Sequence, residues 1–135
     1  MNAVDTNILI YVNDPRDAIK QETAISLVAS LTDGALLWQV ACEYLAASRK
    51  LESMGYDRLK AYQYIRDLQQ VWYTVLPTWN VIDRAENLMS RFNLSHWDSM
   101  IVAACLEANI QILYTEDFGY SNIDNLEILN PFKVF

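Results

Sequence analysis

The chain has 135 residues, 53% of them hydrophobic and 20% charged, with 3 glycines, 3 prolines and a formal net charge of −7. That length and balance predict a single globular domain over residues 1–135 and exclude a linker or disordered tail. The negative charge excludes a protein that grips nucleic acid by general basicity, and no apolar run reaches the roughly 18 residues of a membrane span.

The apolar start "AV" leads into Asp5, Thr6 and Asn7 and then returns to the apolar "ILIYV". The first strand is expected to end near Asp5, although propensity alone would extend a strand through "ILIYV". "NDP" at 13–15 breaks the pattern, and a helix is expected over 16–31 with Ala24, Val28 and Leu31 on one face. "GALLW" (34–38) reads as a second strand, and a helix follows from Gln39 to Leu51 with Val40, Tyr44, Ala47 and Leu51 as its stripe.

Asp57 is placed to cap a helix running to Gln70, whose apolar stripe is Leu59, Tyr62, Ile65 and Leu68. "YTVLP" (73–77) is a third strand, 80–92 a helix, "SHWDSMIVAACLEAN" (95–109) another helix, and "QILYT" (111–115) a fourth strand. "LEILNP" (126–131) closes the series as a last strand. Strands alternating with helices predict an α/β fold: three layers, α/β/α, around a mainly parallel sheet of four or five strands. The start lacks the basic and long apolar segments of a secretory signal, and Cys42 and Cys105 lack metal or redox spacing; both read as buried free thiols in a reducing cytoplasm.

Four carboxylates carry the chemistry. Asp5 and Asp117 directly follow apolar strands, Glu43 flanks the stripe of the second helix, and Asp98 interrupts an otherwise apolar helix start. Each has a structural account of its own: an Asx-turn or cap for Asp5, a dipole contact for Glu43, a capping box with Ser95 for Asp98, a turn before Gly119 for Asp117. Together they converge, because strand ends and helix starts share one edge of a parallel sheet, where ligands bind. Carboxylates gathered there repel by roughly 4 kcal/mol per pair at close range, so the cluster calls for a cation or raised pKa values. All-oxygen ligation suits Mg²⁺ or Mn²⁺ rather than Zn²⁺, and the lone His96 offers no alternative site. Five of the ten basic residues, Arg49, Lys50, Arg58, Lys60 and Arg66, cluster in sequence as either a solvated helical face or a binding patch.

"VDTN", "CEY", "LSHWDSMIVAAC" and "ILYTEDFGY" resemble, in order, spacing and context, the PIN domain, and within it the small bacterial VapC-type ribonuclease toxins. The likeness spans essentially the whole chain. It implies a metal-dependent endoribonuclease whose four acids are Asp5, Glu43, Asp98 and Asp117, with Thr6, Asn7, Ser95 and Thr115 as supporting polar positions. One or two Mg²⁺ or Mn²⁺ ions would serve an in-line displacement at the phosphodiester. Arg49, Lys50 and Arg58 are the candidates for RNA contact. The resemblance also implies a homodimer and an antitoxin partner, with the aromatics Tyr56, Tyr62, Tyr64, Trp72 and Tyr73 offering a face for either. A catalytically silent RNA-binding or interaction module on the same fold is the alternative. A flap-cutting DNA nuclease would need more acids and helices, and an aspartyl phosphatase a DxD motif that "DTN" lacks.

Overall fold

The computed structural model describes residues 1–133. Short apolar runs form strands β1 (Asn2–Val4), β2 (Gly34–Leu37), β3 (Tyr73–Val75), β4 (Ile112–Tyr114), β5 (Asn122–Ile123) and β6 (Leu126–Leu129). Between them lie helices α1 (Thr6–Asn13), α2 (Ala18–Ser30), α3 (Trp38–Ala47), α4 (Arg58–Val71), α5 (Trp79–Arg91) and α6 (His96–Glu107). The strands join in the order β3-β2-β1-β4-β6-β5. Every pairing is parallel except β5 with β6.

That order places the site. β1 lies at the centre, and the chain moves outward from it first through β2 and β3, then through β4 and β6. The seam between β1 and β4 is therefore a topological switch point, where a crevice opens beyond the carboxyl ends of the strands. Val4 pairs with Tyr114 across that seam, and the Asp5 backbone N–H donates to the Tyr114 carbonyl at 2.8 Å.

The helices pack in two sets. α1 contacts α2 and α3, and α3 contacts α4, while α5 and α6 pack chiefly on each other. The core joins Ala3, Val4, Leu37 and Leu113 of the sheet to Ile8 and Leu9 of α1, Val40 and Tyr44 of α3, and Ile101, Val102 and Cys105 of α6.

Several sequence expectations change. "ILIYV" is helical, because the Asp5 side chain caps α1 and Ile8, Leu9 and Ile10 are all buried by tertiary packing, which overrides β propensity. The helix after β2 ends at Ala47 and continues as a 3₁₀ stretch, Ser48–Met54, closed by Gly55 in the left-handed conformation (φ 85°). In α4 the buried residues are Ala61 and Leu68, while Leu59 and Tyr62 are exposed. The sheet has six strands rather than four or five. The extra strand, β5, is two residues long and is turned into β6 by Asp124 and Asn125, with Asp124 at φ 51°. Cys42 is exposed, and only Cys105 is the buried thiol expected.

The caps follow the sequence more closely. The side chains of Asp17, Asp57, Thr78 and Ser95 accept from the backbone N–H of Lys20, Lys60, Val81 and Asp98. No helix is long and apolar enough to cross a membrane among the described residues.

Gly34 begins β2 against the ring of buried Trp72, and a Cβ there would lie 2.4 Å from the indole. Overpacking a core costs about 1–3 kcal/mol. Gly34→Ala is therefore expected to lower the unfolding free energy by that amount, seen as a lower denaturant midpoint at unchanged m; an unaltered midpoint would show that the Trp72 ring yields freely.

Candidate active site

Asp5 is the centre of the site. It stands one residue beyond β1, is 8% exposed, and holds φ −78° and ψ 167°, the extended geometry of a cap. Its Oδ1 accepts from the Thr6 backbone N–H at 2.7 Å, and its Oδ2 accepts from the Thr115 hydroxyl at 2.9 Å. Thr115, 1% exposed, stands one residue beyond β4, so the two strand ends on either side of the seam are tied through one carboxylate. Asn7 reaches the same neighbour, donating its amide to Thr115 Oγ1 at 3.4 Å and accepting from the Glu116 N–H at 3.4 Å.

Glu43 approaches from α3. Gln39, one turn earlier on that helix, donates to Glu43 Oε1 at 2.5 Å, and the Thr6 hydroxyl donates to Oε2 at 3.4 Å. Gln39 also donates to the Trp97 carbonyl at 3.2 Å, which links α3 to the start of α6. Gln39 is a site residue that the sequence reading did not single out; its i, i+4 spacing to Glu43 was the available signal. Asp98 lies in the first turn of α6, where the helix dipole favours an acid, and its N–H donates to the Ser95 hydroxyl at 3.1 Å.

Asp5, Glu43 and Asp98 line one cleft of about 450 Å³ together with Thr6, Asn7, Ile10, Tyr11, Asp14, Arg16, Ala47, Lys50 and Ile101. Burial pushes the Asp5 carboxyl above its ordinary value; the hydrogen bonds from Thr6 and Thr115 oppose that, and the charges of Glu43 and Asp98 add to it. Burial likewise raises Asp98, against the Ser95 hydroxyl.

Asp117 is not among the cleft's lining residues. It is exposed in the loop after β4, whereas its neighbour Glu116 is tied down by an ion pair with Lys20. Of the basic candidates, Lys50 reaches the cleft. Arg49 and Arg58 line a separate depression with Glu52, Asp57 and Leu59, and Arg49 is bonded to Glu52 at 2.5 Å. Arg16, expected as the first residue of the helix over 16–31, lies instead in the turn before α2 and joins Lys50 in the cleft.

The donor set is all oxygen: three carboxylates and the Thr6 hydroxyl, which fits a hard divalent cation in chemistry. The electrostatics fit as well, since a cation would offset the burial and the neighbouring charges that together raise Asp5. Among the described residues, no three His, Cys, Asp or Glu side chains stand close enough to form a ready-made ion site.

Residues 3–126 match the PIN domain family, and the chain belongs to that family. Its fold is shared by a toxin–antitoxin complex from Klebsiella pneumoniae (TM-score 0.72, 17% identity, covering 99% of this chain and 100% of that one). It is shared equally by Mycobacterium tuberculosis VapC20, a toxin that cleaves the sarcin–ricin loop (TM-score 0.71, 20% identity, 88% and 92% covered). A third likeness is to VapBC2 from Rickettsia felis, solved bound to a DNA fragment from its promoter (TM-score 0.68, 15% identity, 96% and 97% covered). No curated protein matches the sequence.

The raised Asp5 carboxyl makes a stability prediction. A folded-state pKa above the unfolded value of 3.8 means that the folded form holds its proton more tightly. The resulting stability is present in full below pH 3.8 and is lost as pH rises through the folded pKa. Asp5→Asn keeps an oxygen for the Thr6 N–H and removes the charge, so its Tm should exceed that of the wild type at pH 7, with the gap closing toward pH 3.8. A variant less stable at neutral pH would show that the ionised carboxylate is favoured in the fold.

Proposed function

We propose that this PIN domain is a divalent-cation-dependent endoribonuclease acting as the toxin of a toxin–antitoxin pair. The observation that carries the reading is the convergence of Asp5, Glu43 and Asp98 on one cleft at the switch point of the sheet. Family membership and likeness to toxin–antitoxin proteins, one of them a cutter of the sarcin–ricin loop, support it.

Asp5, Glu43 and Asp98 are the residues that would hold one or two Mg²⁺ or Mn²⁺ ions. Bound there, such an ion supplies Lewis acidity toward the phosphodiester and a water of lowered pKa. The chain's own contribution is orientation. Thr6 and Thr115 fix both oxygens of Asp5, so that this carboxylate cannot rotate away from the cleft. Gln39 and Thr6 hold Glu43 at a set distance from it, and Ser95 fixes the start of α6 that carries Asp98. Ile10 and Ile101 give the cleft apolar walls, which lower the local dielectric and strengthen these interactions. Asp117 has an outer role in this reading, because its carboxylate is exposed beyond the cleft lining.

An antitoxin and a second copy of the chain are the partners proposed. Apolar side chains to receive them are exposed: Leu76, Trp79, Ile82 and Trp38 near the end of β3, and Ile19, Leu59 and Tyr62 on α2 and α4. Of the aromatics first considered for such a face, Trp72 is buried and Tyr56 and Tyr64 are largely covered, leaving Tyr62 and Tyr73.

Labelled RNA incubated with Mn²⁺ or Mg²⁺, against EDTA, tests the reading. Cleavage is expected with either metal, absent with EDTA, and abolished in Asp98→Asn, which keeps the cap geometry of α6. Asp117→Asn should lose less activity than Asp98→Asn. Thr6→Val, which removes the hydroxyl bonded to Glu43, should cost roughly 10–100-fold in activity. Cation binding without cutting of any RNA would instead favour the silent module.

A further inference from the structure

The cleft has two ends of opposite character. At one end stand Asp5, Glu43 and Asp98; at the other Asp14, Arg16 and Lys50. α1 and α3 run alongside each other from the sheet edge, tied by the Asn13 amide donating to the Tyr44 hydroxyl at 2.8 Å. Asp14 follows the last residue of α1, and Lys50 lies two turns beyond Glu43 along α3 and its 3₁₀ continuation. The acid and basic ends are therefore roughly 10 Å apart, farther than one phosphate group spans.

The basic end is organised around Asp14. This carboxylate is 6% exposed, and it accepts from the Arg16 backbone N–H at 3.0 Å, from Nε at 2.9 Å and from Nη2 at 2.8 Å. The chain thus folds back over Pro15, and the guanidinium is held edge-on while its side chain remains 56% exposed. Of the five N–H donors on a guanidinium, Asp14 takes two and leaves three for another anion. Lys50 lines the same cleft, its charge adds to that of Arg16 in lowering Asp14, and among the described residues it makes no hydrogen bond.

We infer that Arg16 and Lys50, oriented by the buried Asp14, form a phosphate-binding subsite that holds an RNA backbone phosphate next to the one being cut. This deepens the endoribonuclease reading and rests on it. The subsite sets the register of the strand in the cleft, while Asp5, Glu43 and Asp98 act on the scissile linkage. It also answers how an acidic protein holds RNA: two cations anchor one phosphate locally, with no basic surface needed. Asp14 is a positioning residue here, since it acts through Arg16.

Steady-state cleavage of a mixed-sequence, fluorescein-labelled single-stranded RNA, and anisotropy with the same RNA in EDTA, where no cutting is expected, over a range of KCl, test the subsite. Arg16→Gln and Lys50→Gln should each raise KM and Kd on the order of tenfold, with kcat kept. Together they should flatten the slope of log affinity against log salt by about 0.7, the share of the one phosphate that both cations hold, with each single variant contributing part of that. Asp14→Asn gives the sharper sign. It removes a negative charge, so unspecific attraction alone would tighten binding, whereas loss of the Arg16 orientation weakens it. Wild type that cuts, with slopes unchanged in Arg16→Gln and Lys50→Gln or tighter binding in Asp14→Asn, would overturn the subsite alone. Wild type that neither cuts nor binds the RNA would overturn the nuclease reading and the subsite with it.

Discussion

The candidate site depends on the burial of one carboxylate at the seam of the sheet. Asp5 spans β1 and β4 through the Thr115 hydroxyl, caps α1 through the Thr6 N–H, and is almost wholly withdrawn from water. A buried ionised group needs compensation, and two hydrogen bonds supply part of it. The neighbouring charges of Glu43 and Asp98 work in the opposite direction. The fold thus gives up stability to keep three acids together, an arrangement typical of functional sites.

The topology explains why these acids meet. With β2 on one side of β1 and β4 on the other, the residues after β1 and β4 and on the helices after β2 and before β4 gather at one edge. Local rules hold each acid there: Asp5 caps α1, Asp98 sits in the first turn of α6 and Glu43 follows Gln39 by one turn. Capping and site-building are therefore compatible at Asp5 and Asp98, because a helix N-terminus favours an anion in either role.

Much of this was legible in the chain because it rests on short-range rules. Asp57, Ser95 and the strand ends at Val4 and Tyr114 follow from capping chemistry and apolar runs, and the alternation of strands and helices gave the α/β architecture. What was not legible depends on contacts distant in sequence. "ILIYV" becomes a helix because Ile8, Leu9 and Ile10 are buried in a core built with α2 and α3. β5 exists only through its pairing with β6. Lys50 enters the cleft while its neighbour Arg49 lines a separate depression, a difference set by where the 3₁₀ stretch packs. Asp117 follows a strand as Asp5 does, but its loop is anchored through Glu116 to Lys20 and leaves Asp117 in solvent.

The most direct test of the central claim is calorimetric titration of Mn²⁺ into the wild-type protein at a series of pH values from neutral downward. Burial raises Asp5, with the charges of Glu43 and Asp98 adding to it, and burial raises Asp98, so a cation held by these carboxylates competes with their protons. Saturable binding that weakens as pH falls, and is reduced in Asp5→Asn, is the predicted result. Binding that does not change with pH, or no binding at all, would contradict it.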